Sequence, residues 1–332
     1  MEYKLSADGI ESAASRIASV IHKTSIFTSD TLNDYIASLT EKRKGPKLYF
    51  KCDNLQKTGS FKCRGASNAV AKLLSGPEKN KINGFITHSS GNHGQALAFA
   101  ARKFGTKCIV IVPTNAPKAK VKAIEGYGAK VIFVEPTMEA RKGKCNELAE
   151  KEGLRIVDPH DDWEVMEGQG TLALEIIEQV PDVEAVMVSV GGGGLIGGIC
   201  QWFYERKSNV QVMGVEPEGK NILESIKAGK RLWSNGSALD TIADGVRVRP
   251  LGEKCFEVMR HVSHKKIYSV NNDDIRFAWK LIWERLKLVI EPSSALPLAA
   301  IIKYPEDFKD LKSIVLILCG GNVDFVDPSL TQ

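Results

Sequence analysis

The chain is 332 residues long, 43% hydrophobic and 26% charged, with a formal net charge of +5 and seven cysteines. These values suit one large α/β unit or two modest domains, and exclude bulk disorder, collagen and coiled coil. No apolar run reaches the roughly 18–20 residues of a membrane helix, and the opening MEYKLSADGIESAASRI lacks a signal peptide's apolar core, so the expected compartment is the cytosol. The cysteines, at 52, 63, 108, 145, 200, 255 and 319, form no CxxC pair, which argues against zinc and for reduced thiols. The positive excess lies in short runs such as KRK at 42–44, so no nucleic-acid or membrane partner is expected.

Taken in order, the elements alternate. Ser6 to His22 carries a helical stripe of Ile10, Ala13, Ala14, Ile17, Val20 and Ile21 behind a Ser6 cap. A strand is predicted over 47–53 and a helix over 60–74. A strand over 84–90 runs into GNHG and the helix QALAFAARKF, which Gly105 ends. The unit repeats as a strand at 108–113, a helix in KAKVKAIEGYG, a strand at 129–135 and a charged amphipathic helix at 137–152. RIVDP is a short strand, 171–180 a helix, and 185–190 a buried strand before GGGGLIGG. Strands at 211–217, 266–270 and 313–321 and a helix at 274–287 complete the pattern. Apolar strands between helices mean parallel sheet covered on both faces. Two α/β domains are expected. One is a small unit over 82–158; the other is a larger unit of 1–81 plus 159–332, with a ligand-binding cleft between them.

Four constellations could carry chemistry. In GGGGLIGG, Gly192, Gly194 and Gly197 satisfy G-x-G-x-x-G, and Glu216 ends the next strand about 20 residues on, as in a dinucleotide fold. The same glycines, at a strand end before a helix, would let backbone amides converge on any phosphate. KTGSFKCRGA (57–66) places Lys62 beside Phe61 just inside a helix start, where the dipole and desolvation favour the neutral amine that Schiff-base chemistry needs. A plain surface lysine is the alternative. SSGNHG (89–94) sets Ser89, Ser90 and Asn92 on a strand-to-helix turn, as an anion nest or as ordinary capping. His93 reads as a hydrogen-bonded structural histidine. CGGNVD (319–324) puts Cys319 at a strand's carboxyl end, where ligands of open sheets bind, or where a buried thiol sits inert.

In this order GSFKCRGA, SSGNHGQA, GQGT (168–171), GGGGL, EPS (291–293) and GGN resemble the fold type II pyridoxal phosphate enzymes. More closely, they resemble the serine racemase and serine/threonine dehydratase group, from about His22 to Asp324. The resemblance implies a tryptophan synthase β-like fold with two open twisted parallel sheets and the cofactor in the cleft. It implies Lys62 in Schiff-base linkage to pyridoxal phosphate and Phe61 packed on the pyridine ring. Asn92 would bond the ring hydroxyl. Gly191, Gly192, Gly193, Gly194 and the Leu195 amide would hold the phosphate, and Cys319 would face the ring nitrogen. Ser89, Ser90, Asn92, His93 and Arg141 would surround the substrate.

The implied reactions are L/D-serine interconversion, with Lys62 and Ser90 as the two proton-transfer groups, and β-elimination to pyruvate and ammonia. A dedicated serine/threonine dehydratase is the alternative, and a nicotinamide oxidoreductase is a third reading. Serine in place of Cys319 is usual in racemases, whereas PHDD (159–162) looks more like dehydratases. A thiol of ordinary pKa, about 8.5, would not keep the ring nitrogen protonated. Cys63, next to the lysine, would place an oxidisable thiol beside the cofactor.

The group's Mg²⁺ site maps onto Glu216 and the Lys220 carbonyl, but Ile222 stands where an aspartate is expected. Either Mg²⁺ binding is weakened, or the Lys220 ammonium stands in for the ion's charge. Lys57, Thr58 and Tyr127 partly match an ATP effector site. A homodimer with a mobile small domain is implied by the resemblance.

Overall fold

The structure is a computed structural model that describes residues 3–116, 118–233, 239–248, 250–262 and 266–323. Asp324, the last residue of CGGNVD, lies outside them. The chain runs α1 (Ala7–Ile17), β1 (Ile26–Phe27), α2 (Asp30–Ser38), β2 (Lys47–Cys52), α3 (Lys62–Ser75), β3 (Phe85–Thr87), α4 (Asn92–Lys103) and β4 (Cys108–Pro113). It continues through α5 (Lys118–Gly126), β5 (Lys130–Val134), α6 (Met138–Glu152), β6 (Arg155–Ile156), α7 (Trp163–Gln179), β7 (Ala185–Ser189) and α8 (Gly194–Glu205). Then come β8 (Gln211–Pro217), α9 (Ile222–Ala228), α10 (Glu253–Val262), β9 (Ile267–Val270), α11 (Asn272–Leu286), α12 (Pro292–Lys303) and β10 (Ser313–Leu318). No described helix is long and apolar enough to cross a membrane.

Two sheets form. The larger has the order β1-β2-β10-β7-β8-β9, parallel except for the antiparallel edge strand β1. The smaller has the order β5-β4-β3-β6, parallel throughout, and all its strands fall within 82–158. One apolar layer of the larger sheet joins Met166, Leu172, Ile199 and Cys255 to Val315 and Ile317. The layer on the other face joins Leu32, Ile36, Ala278 and Leu296 to Leu48, Leu316 and Leu318. The smaller sheet's core is shared: Ala66, Ala69 and Val70 of α3 pack with Phe85, Ala96 and Val110. Thus α3, outside the 82–158 segment in sequence, is the element on which the smaller sheet rests.

Capping follows local chemistry. Ser6 Oγ accepts the Gly9 amide, and Thr137 Oγ1 the Ala140 amide. Helix α6 ends on Gly153 at φ +64, a left-handed cap. Helix α7 begins at Trp163, capped by Asp162, eight residues before the predicted start at 171. The GQGT motif therefore lies inside a helix. A Cβ on Gly168 would fall 2.6 Å from the Gly65 Cα, and one on Gly170 would fall 2.9 Å from the Gly198 carbonyl. These glycines let α7 approach α3 and α8 backbone to backbone. Helix α12 was not predicted, because it is apolar nearly all round and shows no amphipathic stripe. Its internal Pro297 has no N–H for the Ser293 carbonyl, which instead accepts Ser189 Oγ at 2.6 Å.

A buried charge network holds α3 in place. Arg64, fully buried, donates from Nε and Nη2 to both oxygens of buried Asp53 at 2.6 and 2.8 Å, and from Nη1 to Glu175 of α7 at 2.6 Å. Lys51 of β2 reaches Glu175 at 2.5 Å and the Thr24 carbonyl at 2.7 Å. Removing one partner strands charge in the interior. Arg64→Met should therefore cost about 3–5 kcal/mol of stability, read as a lowered urea midpoint.

Candidate active site

Lys62 is the first residue of α3 and is half-buried. Its place is set by the strand end behind it. The Phe61 amide donates to the Cys319 carbonyl at 3.0 Å, and Ser60 bridges to Gly320. Lys62 Nζ donates to the Pro159 carbonyl at 2.5 Å and lies 4.9 Å from the centre of the Phe61 ring. Burial pushes its ammonium down to about 8, against the opposing pull of Asp158, Cys255, Cys319 and Glu291. A substantial neutral fraction near neutral pH makes it a competent amine nucleophile.

The glycine loop follows β7. Gly193 takes φ +99 before α8, whose first bond runs from the Gly197 amide to the Gly193 carbonyl. The amides of Gly194, Leu195 and Ile196 then have no helical acceptor and form an anion cradle. The loop is walled so closely that side chains are excluded. A Cβ on Gly192 would meet the His160 ring at 2.1 Å, and one on Gly193 the Cys255 Cβ at 2.8 Å. Gly191 is closed off by the Gly245 carbonyl and Gly194 by the His160 carbonyl.

PHDD is a junction whose role the sequence reading did not find. Asp158 accepts the His160 and Asp161 amides at 2.9 and 2.7 Å. Asp161 accepts the Glu253, Lys254 and Cys255 amides and so starts α10, while Asp162 starts α7. Burial pushes the His160 imidazole down to about 4, despite Asp158 nearby, so a neutral ring faces the glycine loop.

The 89–94 turn is tight: a Cβ on Gly94 would lie 2.1 Å from the Ser89 carbonyl. Ser89 and Ser90 are half-buried, and no hydrogen bond of their hydroxyls occurs among the described residues. Asn92 opens α4. Its Nδ2 donates to Glu291 Oε1 at 2.8 Å, and its Oδ1 accepts Asn322 Nδ2 at 2.9 Å. One amide hydrogen of Asn92 remains for a ligand. Asn322 also donates to the Thr58 carbonyl and, from its backbone, to Glu291. Burial raises the Glu291 carboxyl, partly offset by the hydrogen bonds it accepts from Asn92 Nδ2 and the Asn322 amide. Glu291 lay inside the EPS motif but was given no role, since its partners are 199 and 31 residues away.

Several expectations change. His93 is buried, its Nε2 against the Val157 carbonyl at 3.1 Å and its pKa pushed down by burial to about 3. It is hydrogen-bonded as a structural histidine is, and its ring lies within electrostatic reach of Lys62. Cys63 is fully buried beside Ser67, so its thiol is no exposed oxidation target. Cys319 is also buried, and burial pushes its thiol up to about 12, with Ser294 Oγ 3.4 Å away. The group facing the site is thus a neutral thiol, more firmly so than the ordinary pKa implies.

Arg141 bonds the Thr137 carbonyl at the start of its own helix, and its charge is felt at His88, next to the 89–94 turn. Lys57, Thr58 and Tyr127 share no hydrogen bond or ring contact; Tyr127 instead packs edge-on against Phe99. Glu216 turns its carboxylate to the Ile222 amide at 2.8 Å, which is not the posture of a ribose ligand. The Lys220 side chain is buried and donates to the Val246 and Val248 carbonyls. With Ile222 apolar, and no group of three His, Cys, Asp or Glu able to hold a metal among the described residues, the site does not fit a divalent ion.

Pyridoxal phosphate does fit: an amine of lowered pKa, a side-chain-free anion cradle and a neutral thiol border one region. Comparison with known proteins agrees. The family model for pyridoxal-phosphate dependent enzymes matches residues 19–320. A serine racemase from Dictyostelium discoideum is 42% identical over 95% of this chain and 94% of its own length. A beta-hydroxyaspartate dehydratase from Paracoccus denitrificans (strain Pd 1222) is 40% identical over 94% of each. The crystal structure of a pyridoxal 5'-phosphate-dependent aspartate racemase superposes with a TM-score of 0.91 at 42% identity, covering 98% of both chains. These matches set aside the nicotinamide reading, and the chain belongs to the pyridoxal-phosphate dependent enzymes.

Proposed function

We propose that this protein interconverts L- and D-serine and also eliminates serine to pyruvate and ammonia. Two observations carry the reading: the half-buried Lys62 amine of lowered pKa, and the half-buried Ser90 hydroxyl, which has no protein partner among the described residues. The racemase relatives support it. Bound pyridoxal phosphate supplies an electron sink for charge developing at the amino acid's Cα.

The chain's residues do the rest. Lys62 holds the cofactor and moves the Cα proton at its Nζ. Ser90 Oγ moves a proton on the opposite side, which racemisation needs and elimination does not. The amides of Gly191 to Leu195 bind the phosphate. Phe61 would lie against the bound cofactor, the spare amide hydrogen of Asn92 would be free to donate to it, and Ser89 would help seat the substrate carboxylate. A neutral Cys319 thiol at the cofactor would supply no negative charge to hold a ring nitrogen protonated, which would suit elimination. That thiol, with the dehydratase relative, favours the second reading of a dedicated dehydratase.

Ser90→Ala should abolish serine interconversion while leaving pyruvate formation from L-serine largely intact, both followed by chiral chromatography and a coupled assay. Interconversion that survives the change would exclude Ser90 as the second proton-transfer group. A wild-type enzyme that forms pyruvate but no D-serine would establish the dehydratase reading.

Lys62 also sets a pH dependence. Its neutral fraction grows as pH rises through about 8, whereas an ordinary lysine needs about 10.4. Cofactor capture by the apoprotein, followed by its visible absorption band, should accelerate with pH and reach half its maximum near pH 8. Lys62→Ala should show neither the band nor turnover.

A further inference from the structure

Lys220 follows β8 on a turn with two left-handed residues, Gly219 at φ +83 and Asn221 at φ +59. Its side chain is 4% exposed, and Nζ donates to the Val246 carbonyl at 2.7 Å and to the Val248 carbonyl. Those carbonyls belong to a segment that touches the glycine loop twice. The Gly245 carbonyl closes over Gly191, and the Gly252 amide donates to the Gly192 carbonyl at 3.0 Å. Gly245 is fixed in turn by Ser293 Oγ at 2.9 Å. A buried ammonium among backbone carbonyls has the chemistry of a bound cation, with three directed donors in place of an ion's coordination shell. Burial pushes the Lys220 ammonium down to about 7 and the nearby buried Glu216 carboxyl up to about 7, each opposed by the other's charge; the two carbonyls hold Nζ in place, while Ile222 supplies no oxygen.

We propose that the Lys220 ammonium is a built-in cation that fastens residues 244–248 against the phosphate-binding glycine loop and makes the protein independent of divalent ions. Lys220 is then a positioning residue. It touches neither substrate nor cofactor, and it acts through the carbonyls of Val246 and Val248. The proposal requires the family's cofactor to sit at the glycine loop, and holds whether the enzyme racemises or only eliminates.

The test begins with the wild-type holoenzyme, whose melting temperature is compared in chelator and in millimolar MgCl₂ or CaCl₂. No change is expected. A saturable rise of more than about 2 °C with either salt would overturn the proposal. This arm needs no variant and so does not depend on a mutant folding. Lys220→Met, which keeps bulk but removes charge, should weaken pyridoxal phosphate binding by about tenfold or more in a spectral titration, since it leaves buried carbonyls unpaired. Unchanged affinity would also overturn it. Lys220→Ala opens the space, and methylammonium should raise its melting temperature while leaving the wild type unmoved. A Lys220→Ala protein that methylammonium does not stabilise would show that charge at this point is not what the fold requires. Failure of Ser90→Ala to separate the two reactions would leave all three results standing, so the two readings fail independently.

Discussion

The site depends on a full positive charge carried into the interior two residues after the reactive lysine. Arg64 satisfies Asp53, just past β2, and Glu175 on α7 with one planar guanidinium. It thereby fixes the first turn of α3 against the larger sheet and its covering helix. Lysine could not replace it, because no ammonium spans two carboxylates with parallel bonds. Lys62 inherits this rigidity, since it begins the same helix. The smaller sheet inherits it too, because α3 lends Ala66, Ala69 and Val70 to that sheet's core.

Around that anchor, the site is made mostly of backbone. The phosphate cradle is a run of amides, Lys62 Nζ rests on a carbonyl, and Lys220 grips two more. Side chains contribute where charge must be held away from its ordinary state. Lys62 is pushed down by desolvation, Cys319 is pushed up, and His160 is kept neutral against the glycine loop. These shifts have one origin in the exclusion of water. Burial thus moves Lys62 towards its neutral amine while keeping Cys319 and His160 neutral.

Much of this was legible in the chain. β2, β4 and β8 follow from apolar runs, and the two-sheet division from their spacing. Lys62 and the glycine loop follow from local rules about helix starts and phosphate cradles. What escaped was non-local. α7 begins early because Gly168 and Gly170 serve close helix packing, where a local reading takes glycine as a break. α12 carries no periodicity because it is buried all round. Glu291 and Asn322 sat in motifs already noted, yet their meaning lies in Asn92, 199 and 230 residues away. The destination of the Lys220 side chain is likewise unreadable, because its acceptors are backbone atoms that any residue would offer. The burial of His93 and Cys63 is equally invisible to local spacing.

The Asn92 contact has a consequence of thermodynamic linkage. Asn92 begins a helix that covers the smaller sheet, whereas Glu291 and Asn322 belong to segments flanking the larger one. Its carboxamide is thus a tether between two bodies as well as a ligand-facing group. A ligand that orients the spare hydrogen also orients the tether. By reciprocity, whatever factor a bound ligand applies to the Asn92 contacts with Glu291 and Asn322, those contacts apply equally to the ligand's affinity.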